Sequence, residues 1–179
     1  EHEPGVYWCW APIHFESFAT LFGTFQDRDG TPTQISAHKI SLSSNPSFED
    51  DESISEDLKN ISHSVSWKKG TRWSTGAIIV GEDQHGNSMN IELETLGPKF
   101  YCKGIGYQHP EWGHGIWKGE EAFGYECWEL DKINPADYTF FHVHQIAKAK
   151  LGNNSGFGTL ENLPVGRHDP SGFKDRKST

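Results

Sequence analysis

Ser88-Met-Asn-Ile-Glu-Leu-Glu-Thr-Leu96 decides the fold class. Met89, Ile91 and Leu93 alternate with Asn90, Glu92 and Glu94. A period of two places the apolar set on one face of an extended strand and the polar set on the other, whereas a helix needs apolar residues three and four apart. Toward the N-terminus, Asp83-Gln-His-Gly-Asn87 is a tight turn, and Ala77-Ile-Ile-Val80 is the apolar centre of a strand over 72–82. Residues 58–67 alternate again, with Ile61, His63, Val65 and Trp67 against Asn60, Ser62 and Ser64, and Lys68-Lys-Gly70 turns the chain after them.

Three more strands are expected at the start of the chain, over 5–15, 18–26 and 32–42, the last two joined by the Asp27-Arg-Asp-Gly30 hairpin signal. In the first, Tyr7 and Cys9 face one side and Trp8 and Trp10 the other, and Pro12 marks an edge, a bulge or the strand's end. The acidic, serine-rich residues 43–57 read as a solvated loop, with a lid over the barrel mouth as the functional alternative. Toward the C-terminus, Gly97-Pro98 breaks the central strand and 99–107 begins another. The segment 121–130 is its expected partner, 131–137 a turn, 138–151 a strand by its β-rich start (a helix by length alone), and 159–165 a last short strand. The sum is an all-β single domain over 1–179, with about eight to ten strands in a lipocalin-like antiparallel barrel or a sandwich. A barrel of about eight strands can enclose one small ligand.

Composition agrees and excludes several classes. The 179 residues include 19 glycines, seven tryptophans and one methionine. A net charge of −9 argues against nucleic acid and an anionic membrane surface, because both require clustered Lys and Arg. No apolar run is long enough for a transmembrane helix, and no basic-then-apolar start reads as a signal peptide. Cys9, Cys102 and Cys127 are odd in number and lack a CxxC pair, so they read as reduced, buried small hydrophobes of a cytoplasmic protein. The start at Glu1-His2-Glu3 without methionine reads as a fragment or a processed chain.

The chemistry concentrates in Gly104-Ile-Gly-Tyr-Gln-His-Pro-Glu-Trp-Gly-His-Gly-Ile-Trp-Lys-Gly-Glu120, which holds five glycines among two histidines, two tryptophans and two glutamates. A solvent loop would favour Ser, Asn, Asp and Lys. His109, Glu111 and His114 are the candidate catalytic residues: a carboxyl against Trp is raised in pKa and can act as an acid, and imidazole serves either role near neutrality. Tyr107, Trp112 and Trp117 are candidate substrate contacts, and their faces could steady a developing cation. The plainer alternative is that the polar groups bond the loop's own backbone and the tryptophans plug the barrel.

His142-Val143-His144 puts two imidazoles on one face of a strand, and both are candidate substrate-binding residues. Such a pair can ligate Zn, Fe or Cu. The carboxylate expected a few residues later is missing, since Ile146-Ala-Lys-Ala-Lys150 follows, so the expectation is a site without metal or cofactor. No nucleophile elbow, P-loop or dinucleotide fingerprint is present.

The loop motif, the strand Phe140-Phe-His-Val-His-Gln145, and Gly158-Thr-Leu-Glu-Asn-Leu-Pro-Val-Gly166 with Pro170-Ser-Gly-Phe173 resemble the C-terminal half of the two-domain lipocalin-like proteins related to carotenoid 1,2-hydratase (hydroxyneurosporene synthase) and to AttH-like proteins. The resemblance is strongest from Gly104 to Phe173 and implies a lipocalin-like barrel and a hydrophobic, isoprenoid or polycyclic ligand. It also implies that His109, Glu111 and His114 protonate an alkene and activate water while Trp112 and Trp117 line the cation. The family's N-terminal half is absent from this chain, which makes a partner domain or a homo-oligomer the expected company. The leading expectation is therefore a cofactor-free lyase, hydratase or isomerase acting on a hydrophobic small molecule. A non-catalytic binding module is the alternative, and a histidine-ligated metal enzyme the weaker one.

Overall fold

The computed structural model describes residues 6–42, 55–101, 104–106, 108–113, 115–125, 127–137 and 140–175. The strands are β1 (Val6–His14), β2 (Phe18–Gln26), β3 (Pro32–Ser41), β4 (Ser55–Asp57), β5 (Lys59–Trp67), β6 (Ser74–Glu82), β7 (Ser88–Tyr101), β8 (Gly104–Gly106), β9 (Gln108–Gly113), β10 (Val143–Leu151) and β11 (Asn154–Val165). Nine of them form one antiparallel, nearly closed barrel-like sheet in the order β4-β3-β2-β1-β11-β10-β7-β6-β5. β8 and β9 form a separate two-stranded sheet. Among the described residues no helix is long and apolar enough to cross a membrane.

Alternation divides each strand between the interior and the outer wall. Tyr7, Cys9, Ala11 and Ile13 of β1 are buried, as are Ala77 and Ile79 of β6, Met89, Ile91 and Leu93 of β7, and Val143, Gln145, Ala147 and Ala149 of β10. Burying each Ile, Leu or Met contributes about 1.5–3 kcal/mol. Trp8, Trp10, His144 and Glu161 take the intervening positions on the outer wall. Across the interior, the Tyr7 hydroxyl meets His63 Nε2 at 2.7 Å. At one rim the chain after β11 folds back: the His168 ring stacks on Tyr7 at 3.9 Å, and Phe173 packs on Trp67. The buried Arg72 guanidinium lies over the Phe141 and Phe173 rings and donates to the carbonyls of Pro164, Gly166 and Asp175.

Several expectations are corrected. Gly97-Pro98 does not end the central strand: β7 continues to Tyr101, and the register with β10 shifts between Gln145 and Ala147. Proline lacks an N–H and glycine bends freely, so the pair makes an irregularity rather than a stop. Residues 121–130 are not the partner strand. β10 takes that place on β7, pairing Val143 with Tyr101 and Gln145 with Lys99, while Phe123 and Tyr125 stand 86% and 84% exposed. Pro12 lies inside a central strand. It pairs with Leu21 of β2, and the β1–β11 ladder pairs Trp10 with Glu161 and Ile13 with Gly158 on either side of it, which tolerates the missing donor. The last strand begins at Asn154, not 159. Cys127 is exposed rather than buried, whereas Cys9 is fully buried. Most of the expected lid, residues 43–54, lies outside the described residues, as does Cys102.

Candidate functional site

The site is assembled by strand register. Between β10 and β11 the chain turns at Gly152, whose φ of 57° is readily accessible to glycine. Pairing from Leu151 with Asn154 onward brings His144 opposite Glu161. On the other side of β11, Glu161 pairs with Trp10 of β1, and Trp10 pairs with Gly23 of β2. One row thus crosses four strands of the outer wall: His144, Glu161, Trp10, Gly23. His142, two residues before His144, falls on the same side.

Glu161 Oε1 lies 2.6 Å from His142 Nε2 and 3.6 Å from His144 Nε2, and the two imidazole centroids are 4.9 Å apart. The side chains of His142 and Glu161 are 9% and 12% exposed and that of His144 is 30% exposed, so the cluster is shielded but open on the His144 side. Desolvation works to raise the Glu161 pKa. The His142 hydrogen bond, the charges of His144 and His142 and a hydrogen bond from Trp8 outweigh it, and the carboxyl is held below its usual range.

His142, His144 and Glu161 can hold a metal. Their ligand atoms all lie within 4.8 Å of one another. Two neutral imidazoles and a carboxylate suit Zn²⁺, Fe²⁺ and related ions, with bonds of about 2.0–2.2 Å. Ligands on such bonds stand roughly 3.3 Å apart in a tetrahedral arrangement, so the His144–Glu161 spacing is close to that and the His142–Glu161 contact has to open by under about 1 Å.

An aromatic strip adjoins the cluster. Trp8 and Trp10 are half-buried beside Glu161, and the Trp8 ring packs against that of Phe25 with centroids 4.3 Å apart and the planes tilted by 33°. Gly23 lies beneath both indoles: a Cβ there would come within 3.3 Å of Trp8 Cη2 and of Trp10 Cδ1.

Of the residues expected to act, His142 and His144 come together. Glu111 lies on β9 with its side chain 65% exposed and its Oε1 3.8 Å from Lys118 Nζ, and Trp117 is 76% exposed. His109 and Trp112 are on the backbone of β9, while Tyr107 and His114 lie outside the described residues. Glu161 was not among the expected ligands. A two-residue turn at Gly152-Asn153, followed outward, is the signal that places it opposite His144.

A second titratable cluster lies inside the barrel. Burial lowers the His63 pKa to about 4. Burial, with smaller effects of neighbouring charges, does the same for His168, whose Nδ1 and Nε2 meet Ser171 Oγ and Gln26 Oε1. Tyr7 is pushed up mainly by burial, then by Cys9. Burial raises Cys9 to about 12, against the opposing effect of the neighbouring Asn162 amide. These groups are neutral at pH 7 and bind the barrel's two halves through hydrogen bonds and ring contacts.

Fold and site together define an antiparallel barrel-like protein with a two-histidine, one-carboxylate cluster on its outer wall. The chain belongs to a family of unknown function, DUF8625, whose family model matches residues 1–174. No curated protein and no solved structure matches it.

Proposed function

We propose that the protein is a metal-dependent enzyme of the lyase, hydratase or isomerase type, in which His142, His144 and Glu161 hold one divalent transition-metal ion. The observation that carries this reading is the convergence of two imidazoles and an ionised carboxylate from adjacent strands. Three protein ligands leave positions open for water and a substrate oxygen, the arrangement catalytic zinc sites use to lower the pKa of water and polarise carbonyls. The resemblance to hydratase-related proteins supports addition or removal of water as the reaction class. It also supports a hydrophobic substrate.

The test is titration with Zn²⁺, Co²⁺, Mn²⁺ and Fe²⁺, followed by calorimetry and native mass spectrometry. One equivalent of at least one ion is expected, with affinity reduced about 100-fold or more in Glu161→Gln and in His144→Ala. Absence of stoichiometric binding for all four ions overturns the reading.

The 2.6 Å His142–Glu161 contact favours a second reading, in which the pair works without metal, His142 as proton carrier and Glu161 holding its ring. Turnover that survives exhaustive chelation but is lost in Glu161→Gln would select it.

A further inference from the structure

We propose that the ligand of this cluster is a small molecule with a flat, aromatic or conjugated apolar body and an anionic oxygen donor at one end. The inference rests on the metal reading above and deepens it. A divalent ion held by two neutral imidazoles and one carboxylate keeps a net single positive charge. In a shielded setting that charge favours an anionic oxygen over a neutral one. The side chains next to the cluster then select the rest of the molecule. The register that sets Glu161 beside His144 sets Trp10 on its other flank. Trp8 lies two residues before Trp10 on the same side of β1, and its ring packs against that of Phe25, itself 37% exposed.

Gly23 carries a second part of the argument. Any side chain there would meet both indoles, and its absence lets Trp8 and Trp10 lie low against β2. The result is a continuous aromatic strip on the outer wall that begins at a metal ligand. Rigid indole faces bind flat apolar groups with little loss of side-chain entropy. A ligand anchored by its oxygen on the open His144 side can extend its body over Trp10 and Trp8.

The probes are benzohydroxamate and acetohydroxamate, which share one anionic chelating head and differ in the aromatic ring. Binding is followed by calorimetry and tryptophan fluorescence on the Zn²⁺-loaded full chain. The expected result is that benzohydroxamate binds about tenfold or more tightly than acetohydroxamate. Neither should bind the metal-free protein. In Trp10→Ala, which keeps all three ligands and one equivalent of Zn²⁺, the preference should collapse to less than about threefold; Trp10→Leu serves where the alanine variant does not fold. Equal affinities in the wild type, or a preference that survives loss of the indole, overturn the proposal while leaving metal binding standing. A wild type that takes up none of Zn²⁺, Co²⁺, Mn²⁺ and Fe²⁺ overturns the metal reading and this inference together; where another of these ions binds and Zn²⁺ does not, the same comparison is made on the protein loaded with that ion.

Discussion

The Tyr7 hydroxyl and His63 Nε2, 2.7 Å apart, join β1 to β5 across the barrel interior, and the His168 ring lies flat on the same tyrosine. This stack makes stability depend on pH. Burial lowers both histidines to about 4 in the fold, against about 6.5 in the unfolded chain. The unfolded chain therefore binds more protons. Stability is fully present above pH 6.5 and is lost as the pH falls from there through 4. Between pH 7 and 5 the loss is about 2 kcal/mol per histidine. Urea denaturation across that range is expected to show the loss, with roughly half the slope remaining in His168→Gln.

Gly158 sets the closest approach between β1 and β11. A Cβ there would lie 2.0 Å from the Pro12 carbonyl oxygen and 2.9 Å from Ile13 Cα. Both are backbone atoms that cannot turn aside. Gly158→Ala is expected to cost about 3 kcal/mol or more in thermal or chemical denaturation.

Gly23→Ala is milder. Its new methyl would meet Trp8 and Trp10 side-chain atoms at 3.3 Å, tight but movable. A cost of about 1–2 kcal/mol is expected, together with a change in tryptophan emission as the indoles lift from β2.

The Arg72 guanidinium satisfies carbonyls at the end of β11 and beyond it while lying over two phenylalanine rings. A lysine cannot reproduce its planar fork. Arg72→Lys is expected to lower stability by about 3 kcal/mol, read from the denaturation midpoint.

Thiol labelling distinguishes the two described cysteines. Cys127 is exposed, whereas Cys9 is fully buried with its pKa raised to about 12. Peptide mapping after brief alkylation of the native protein should find Cys127 modified and Cys9 modified only after unfolding.

Strands were legible wherever alternation coincided with burial. Met89, Ile91 and Leu93 face inward, and the four apolar-face positions of β5 are half-buried while its serines are exposed. The expected partner strand at 121–130 is not formed, and its Phe123 and Tyr125 are exposed although both are β-forming residue types. A local pattern cannot tell which segment takes the hydrogen-bonding edge of β7, and β10 does so. The imidazole half of the candidate site was legible because His142 and His144 are two apart. Its carboxylate was not, because Glu161 follows His144 by 17 residues along the chain and reaches it only through hairpin register. In the glycine-rich run Glu111 and Trp117 are exposed, while the side chains of Tyr107, His109, Trp112 and His114 lie outside the described residues.

The ladder between β1 and β11 has a kinetic consequence. It pairs Val6 with Val165 and His14 with Phe157, so the wall at this point joins segments far apart along the chain. Local hairpins such as β6–β7 and β10–β11 can form early because their strands are joined by short turns. The β1–β11 seam has to wait for the largest loop-closure entropy among the described strand pairs. Refolding is therefore expected on the slow, millisecond-to-second scale of high-contact-order β proteins, with the seam between the two halves as the last element to lock.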